Sequence, residues 1–545
     1  MKIPERKRRN SALRKDNYIT VLIIAFIGAL IFRIPLGNII GEKGLAYFGT
    51  ANELCILLAG IIGYGLMEAT AVLVRYRIKR DQMKSAQKIV STALLLSMLL
   101  GILIGLVTAV TAYIFAEKVL CIPLAGLAIA MMTPAIVFQM MSGVLKGYFK
   151  GNGSRVPAMH SMMMQVVFLF VGGLAGAKIM GGYGEKVSAL LQNADYASAY
   201  GAAGAALGMV VASILCFLHL LILFMMLSGK QKRQMGRELQ RNVETTPQIT
   251  GMLFGTGILY IGFYLVFFSH ASLDQYLLFR FGDIAQGADT VWGNYYGKYQ
   301  VVLGIIAGIC ILMCLAPVKR IVSLLEHEEY RGARERFGVL IHQCMVVAAP
   351  TAILLAVLSE NILDALFGGN NTGMVQWLQF GGISLFAMIF GVTFLDMLLK
   401  MRRLKTVVGI GAIGLLVHIV SAIVLMSGMK AGVLSLIVSQ LLFWFIIAVP
   451  GFMMISRMVQ YKQEWIRSFA FPIVAAAIAG LLAMLLNKAL LSLLGNIATL
   501  IICVFFGAIS YFVILFALKD FSEEELEIMS GGNILLTIGK MLRLM

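Results

Sequence analysis

Six ionisable residues lie in or beside long apolar runs, where a charge is costly and so carries information: Arg33, Glu53, Glu68, Asp274, Arg280 and Lys298. Arg33 is the sharpest of them. It sits within the run Tyr18–Ile40, two residues before Pro35, whose missing backbone donor predicts a kinked or broken helix there. A cation at that depth faces a cavity or an opposite charge. Its chemistry suits an anion site, for instance for a pyrophosphate. The plainer readings are a structural ion pair, or a side chain that reaches out to an interface. Glu53 and Glu68 lie about four turns apart in the next run, Leu45–Val74. Either could pair with Arg33 or bind a coupling cation. Otherwise Glu53 is interfacial, and Glu68 only meets the basic loop that begins at Arg75. Asp274, Arg280 and Lys298 flank the link between the seventh and eighth runs, either as the mouth of a cavity or as a solvated loop.

Other polar groups read as structural. Asp396, beside Lys400 and Arg402, is best explained by a local ion pair. His219, His270, His342 and His418 are scattered singly and read as packed or interfacial. Gln139, Gln165 and Gln440 suit bonds between helices. The seven cysteines show neither a disulfide framework nor zinc spacing. There is no G-x-x-x-x-G-K-[ST] phosphate loop, no H-E-x-x-H and no nucleophile elbow. The expectation is a chain that is not an enzyme, with no cofactor and no metal site.

The elements that must position these residues follow from composition. Of 545 residues 60% are hydrophobic and only 13% are charged, with a mean hydropathy of +0.88. That is too little polar surface for a soluble protein and predicts an all-α polytopic membrane protein. Fourteen apolar runs are long enough to span: Tyr18–Ile40, Leu45–Val74, Ile89–Phe115, Ile122–Val144, Pro157–Ile179, Gly201–Leu227, Gly251–Ser269, Val291–Leu315, Phe337–Leu358, Met374–Leu399, Val407–Met426, Val433–Ile455, Ile466–Leu486 and Ala498–Leu518.

The net charge of +18 could suggest nucleic acid, but Lys and Arg cluster in the short loops between runs. With the N-terminus inside, 36 of the 45 fall on the inner side. The outer side keeps Lys43, Lys118, Lys178, Lys186, Arg280, Lys298, Lys430 and Lys488, and Arg33 is internal. This bias places both termini in the cytoplasm of a multi-pass cell-membrane protein and leaves no role for nucleic acid.

Two loops repeat. RDQMKSAQKI (Arg80–Ile89) aligns with HEEYRGARER (His327–Arg336) at an offset of 247. LKGYFKGNGSR (Leu145–Arg155) aligns with LDMLLKMRRLK (Leu395–Lys405) at an offset of 250. Two matches at nearly one offset predict two six-helix lobes related by a pseudo-twofold axis along the membrane normal, followed by two C-terminal helices. The expected divisions are a first lobe (1–229), a basic cytoplasmic linker (230–250), a second lobe (251–458), the trailing pair (459–518) and a cytoplasmic tail (519–545).

Several stretches resemble the multidrug/oligosaccharidyl-lipid/polysaccharide (MOP) exporter superfamily, within it the polysaccharide transporter branch. They are FRIPLGNIIGEKGLAYF (Phe32–Phe48), GYGLMEATAVLVRYRIKRDQMKSAQKI (Gly63–Ile89), GVLKGYFKGNGSRVPAMHSMMMQ (Gly143–Gln165), LAPVKRIVSLLEHEEYRGARERF (Leu315–Phe337) and ALKDFSEEELEIM (Ala517–Met529). Met164 stands where the family often has Glu, Phe168 where a basic residue is frequent, and Lys150 where Gln is usual. The resemblance implies alternating access by two lobes that rock around a cationic central cavity. Its substrate-facing role would pass to Arg33, and with it to Glu53, Glu68 and Asp274. The implied function is a flippase for an undecaprenyl-pyrophosphate-linked oligosaccharide or cell-wall precursor. It would act as a monomer among membrane lipids, with Na+ or H+ as the coupling ion. The alternative is a cation-coupled multidrug exporter of the same fold.

Overall fold

A computed structural model describes residues 18–235, 243–283, 287–369, 371–529 and 531–541. The polar stretch 1–16, the centre of the basic linker (236–242) and the last residues of the tail (542–545) lie outside the described residues. Every regular element among the described residues is helical. Among the described residues thirteen helices are long and apolar enough to cross a membrane, with mean hydropathies from 1.7 to 2.8. They are α1 (Tyr18–Ile78), α2 (Met83–Lys118), α3 (Ala125–Gly151), α4 (Val156–Leu191), α5 (Asp195–Met235), α6 (Thr246–Phe268), α8 (Ala288–Glu326), α9 (Tyr330–Val357), α11 (Thr372–Lys400), α12 (Leu404–Met429), α13 (Val433–Val459), α14 (Ile466–Leu494) and α15 (Asn496–Ala517). Short helices α7 (His270–Phe281), α10 (Ser359–Phe367), α16 (Glu523–Ile528) and α17 (Gly532–Met541) fill the connections and the tail.

Thirteen helices make fourteen passes because α1 doubles back on itself. Gly41 has φ 72° and ψ 179°, a conformation that glycine adopts without a Cβ penalty. On a straight helix Arg33 and Glu53, twenty residues apart, would be separated by about 30 Å. Their side chains are 3.2 Å apart. The reversal is therefore at Gly41, and the helix runs on through Pro35, where the sequence predicts the break. Proline in a membrane helix can be absorbed by local adjustment and by neighbouring helices.

The chain alternates between two ends of the bundle. One end carries the basic loops that follow α1, α3, α8, α11 and α13. The other carries the reversal at Gly41 and the loops after α2, α4, α7, α10, α12 and α14. Lipid is the natural solvent for the outer faces. Leu103, Leu106 and Val110 on α2, and Phe505 and Ile509 on α15, are all exposed.

The two arms of α1 pack with α2, α3 and α5, and α4 packs along α5. In the second half α11, α12 and α13 pack together, with α9 against α11 and α14. Helix α6 bridges the halves, touching both α1 and α12. The duplicated loops also agree in backbone. Asp81 and Glu328, matched by the sequence repeat, both adopt positive φ (57° and 61°), and each precedes a new helix by two residues. Both lie at the basic-loop end, which is what a twofold axis along the bundle requires.

Candidate functional site

Arg33 is held by packing before it is held by charge. Its neighbour Phe32 is buried against Phe48 and Phe170, with ring centroids 5.9 and 5.6 Å away. The Phe32 ring lies where a Cβ on Gly173 would clash, at the end of a π-turn in α4 (Leu169–Gly173). The guanidinium then has fixed partners. Nη2 donates to Glu53 Oε1 at 3.2 Å, and Nη1 donates to the Tyr296 carbonyl at 3.1 Å. Its carbon lies 3.6 Å from the centroid of the Tyr296 ring. Asn52 Nδ2 donates to the Tyr296 hydroxyl at 3.1 Å. A desolvated cation over an aromatic face contributes about 2 kcal/mol. Of the readings open in the sequence, the structural ion pair is the one in place, and its aromatic partner comes from the other half of the chain.

This cluster continues as a seam between α1 and the first turns of α8. Lys298 Nζ donates to Glu42 Oε1 at 2.6 Å and lies 3.5 Å from Asn371 Oδ1. Asn294 Nδ2 donates to Glu42 Oε2 at 3.1 Å. Lys43 bonds Asp195 at 2.8 Å and lies 3.9 Å from Asp289. The backbones meet closely here. A Cβ on Gly293 would fall 1.9 Å from the Glu42 carbonyl oxygen, so only glycine permits the approach.

The remaining sequence candidates fall into separate places. Glu68 is buried and takes both of its oxygens to Lys150 Nζ at 2.5 and 2.6 Å, a link from α1 to α3. Asp274 is buried on α7. Its Oδ1 lies 2.7 Å from His418 Nε2 of α12, and Tyr295 Oη is 3.5 Å from its Oδ2. His270 stacks beside His418 with centroids 5.1 Å apart, and both of its ring nitrogens are buried without a hydrogen-bond partner. The sequence treats these histidines as scattered, yet folding gathers two of them around one carboxylate. Arg280 is exposed and joins none of these clusters. Asp274 and Lys298 thus take different partners, and among the described residues no hydrogen bond joins either to Arg280. Asp396 pairs with Lys400 one turn along α11.

A cavity of about 270 Å³ lies among α1, α3, α4, α5 and α6. Gln139, Ser142 and Lys146 reach it from α3, Gln165 from α4, Ser213 and Cys216 from α5, and Tyr264 from α6. The sequence reading ends its fourth apolar run at Val144 and so leaves Lys146 in a loop. Helix α3 continues to Gly151 and carries the lysine inside. The signal was present as polar residues at helical spacing: Gln139, Ser142, Lys146 and Lys150.

No family model matches the chain. A curated relative, stage V sporulation protein B of Bacillus subtilis (strain 168), is 21% identical over 345 residues, 63% of this chain. The chain spans 64% of that relative's length. Among solved structures, the lipid II flippase MurJ in an inward closed conformation is similar at TM-score 0.59 and 14% identity, covering 91% of this chain and 97% of that one. An inward-facing multidrug resistance MATE family transporter of the MOP superfamily is similar at TM-score 0.58 and 14% identity, covering 81% of this chain and 96% of that one.

The chain shares the fold of these transporters.

In this fold the loops outside the spans carry their own electrostatics. Arg77 at the end of α1 pairs with Glu244, which follows the linker. Burial alone would raise the Glu244 carboxyl. A hydrogen bond from its own backbone N–H and the charges of Arg77 and Lys88 outweigh that and hold it below the usual range. At the opposite end, the hydrogen bond from Lys430 and then its charge hold Asp283 low.

Proposed function

We propose that the chain is a flippase or exporter for an undecaprenyl-pyrophosphate-linked oligosaccharide or cell-wall precursor, working by alternating access in the cytoplasmic membrane. The observation that carries this reading is the state of the buried acids. Glu53 is engaged by Arg33, Glu68 by Lys150, Asp274 by His418, Asp396 by Lys400 and Asp520 by His342. An exporter of organic cations needs a carboxylate available to its substrate, and these five already have partners. The charge left over in the central part of the molecule is positive, which suits a phosphorylated headgroup that bare hydrocarbon cannot solvate.

In this reading the basic loops face the cytoplasm along with both termini. The Arg33–Tyr296–Glu53 cluster and the Lys298–Glu42 bond form the outer gate between lobes 1–229 and 251–458. The Asp274–His418 pair is the place for a coupling ion, Na+ or H+. A monomer suffices, because both lobes lie in one chain.

The second reading, a multidrug exporter, draws on the equal likeness to a MATE fold. Proteoliposomes separate the two. Vesicles of the full chain loaded with a fluorescent undecaprenyl-diphosphate sugar should lose that lipid's protection from an outside quencher many times faster than empty vesicles. Vesicles that leave the lipid in place and instead move ethidium would assign the chain to the drug exporters.

A further inference from the structure

The chamber in the first half holds a lysine with no paired acid among the described residues. Lys146 lies on α3 and lines the cavity of about 270 Å³. Among the described residues no carboxylate stands within ion-pair distance of it. One turn further along the same face, Lys150 is neutralised by both oxygens of Glu68, so that acid is occupied. Cys216 of α5 lines the same cavity.

A second observation is independent of the lysine. Ser142, one turn back on α3, is 4% exposed, lines the same cavity, and its hydroxyl has no hydrogen-bond partner. A buried hydroxyl without a partner is rare and asks for a ligand or water. Lys146 offers three donors and no acceptor, and Ser142 one donor. All the unused hydrogen-bonding capacity of a lysine is donor capacity, and it is aimed at one small volume. A lysine on a lipid-facing surface would reach along the helix to the interface. This one faces helices α1 and α5 instead.

We infer that Lys146 and Ser142 form an anion site that takes a phosphate- or diphosphate-sized group. The inference rests on the flippase reading only for the lipid that would bring the group. The volume admits a diphosphate but not a polyprenyl tail, which would lie outside the chamber. Lys146 thus anchors the charged joint of the substrate. Arg33, whose donors are already taken by Glu53 and Tyr296, works in the seam between the halves.

The test is competition for a fluorescent polyprenyl diphosphate bound to the full chain in nanodiscs. The competitors are unlabelled polyprenyl diphosphate, polyprenol and inorganic pyrophosphate, with wild type, Lys146→Gln, Lys146→Arg and Ser142→Ala. The expected result is that polyprenyl diphosphate competes at least tenfold better than polyprenol in wild type. That gap should close to within about twofold in Lys146→Gln, survive in Lys146→Arg, and shrink about threefold in Ser142→Ala. Pyrophosphate competing as well as the lipid, with the same dependence on Lys146, would keep the site and make its occupant a soluble anion.

A gap unchanged in Lys146→Gln overturns the site. If the sugar-linked lipid is still flipped in the proteoliposome assay, the flippase reading survives that loss. If wild type shows no gap and binds ethidium instead, both fall together. Lys146→Arg guards against misfolding, because a merely structural lysine would not respond to the difference between Gln and Arg with a change confined to phosphorylated competitors.

Discussion

The seam at Arg33 and the chamber at Lys146 each place a cation inside the first half of the molecule, and they treat it in opposite ways. Arg33 has a carboxylate, a carbonyl and an aromatic face. Lys146 has a cavity, an unpartnered serine hydroxyl and no acid. A satisfied buried charge is a device for holding a geometry, while an unsatisfied one keeps its interaction free for something that arrives. Depth alone marks both as costly, and only the inventory of partners separates the clasp from the proposed binding site. The residue that looks most functional in sequence is thereby a clasp, and the residue that looks like part of a loop is a cation with no acid partner among the described residues.

The largest expected effect comes from breaking the clasp on one side. Glu53→Gln leaves Arg33 buried without its counter-charge, and loss of one partner of a buried pair costs about 3–5 kcal/mol. The melting temperature of the purified protein should fall clearly, and so should that of Arg33→Met. The double variant Arg33→Met with Glu53→Met removes both charges, and a buried pair exchanged for apolar residues is close to neutral. Its melting temperature should return most of the way to wild type. If the two single losses simply add in the double variant, Arg33 and Glu53 are not a unit and the contrast with Lys146 collapses.

A smaller effect is expected at the rim of the same seam. Lys298 is nearly buried, but Glu42 is 39% exposed, so their bond is worth about 0.2–1 kcal/mol. Lys298→Ala should hardly move the melting temperature. It should shift opening between α1 and α8 by up to roughly fivefold, the factor that about 1 kcal/mol represents. Cys55, buried two residues beyond Glu53, reports that opening. Its rate of maleimide labelling, in a Cys121→Ser background that removes the exposed thiol, should rise by that factor. An unchanged rate would mean that the seam is held by the Arg33 cluster alone.

Much of this was legible in the chain and some of it was not, for physical reasons. Helices had to form because a spanning backbone must satisfy itself, so fourteen apolar runs and a duplicated loop could be read directly. The turn at Gly41 was hidden behind Pro35, the more conspicuous helix breaker. Arg33 was visible because a charge in an apolar run is rare, and Glu53 stood among its candidate partners. Tyr296, 263 residues away, could not be found by spacing. The same holds for Asp274 with His418, 144 residues apart, and for His342 with Asp520, 178 apart at the basic-loop end. Each pair exists only because two helices pack, and no local pattern encodes that. Lys146 was missed for another reason: the apolar run was ended two residues before it, although the helix continues to Gly151 and the polar stripe on α3 was there to be counted.

The exposed pair Lys430–Asp283 supplies the smallest effect and calibrates the others. Its atoms are 2.8 Å apart, as close as many buried bonds, yet the side chains remain 71% and 63% exposed. The hydrogen bond and charge of Lys430 hold the Asp283 carboxyl below its ordinary value. A depressed carboxylate stabilises the folded state above the unfolded-state range and loses that contribution as pH falls through its own lower value. Any benefit should therefore be present near neutrality and vanish on acidification below pH about 4. Water and salt screen an exposed pair. Lys430→Ala should accordingly leave the melting temperature at pH 7 unchanged within error, at low and at high salt. Were its loss to approach that of Glu53→Gln, distance rather than burial would set the strength of charge pairs in this fold, and the unpaired Lys146 would lose its claim to be different.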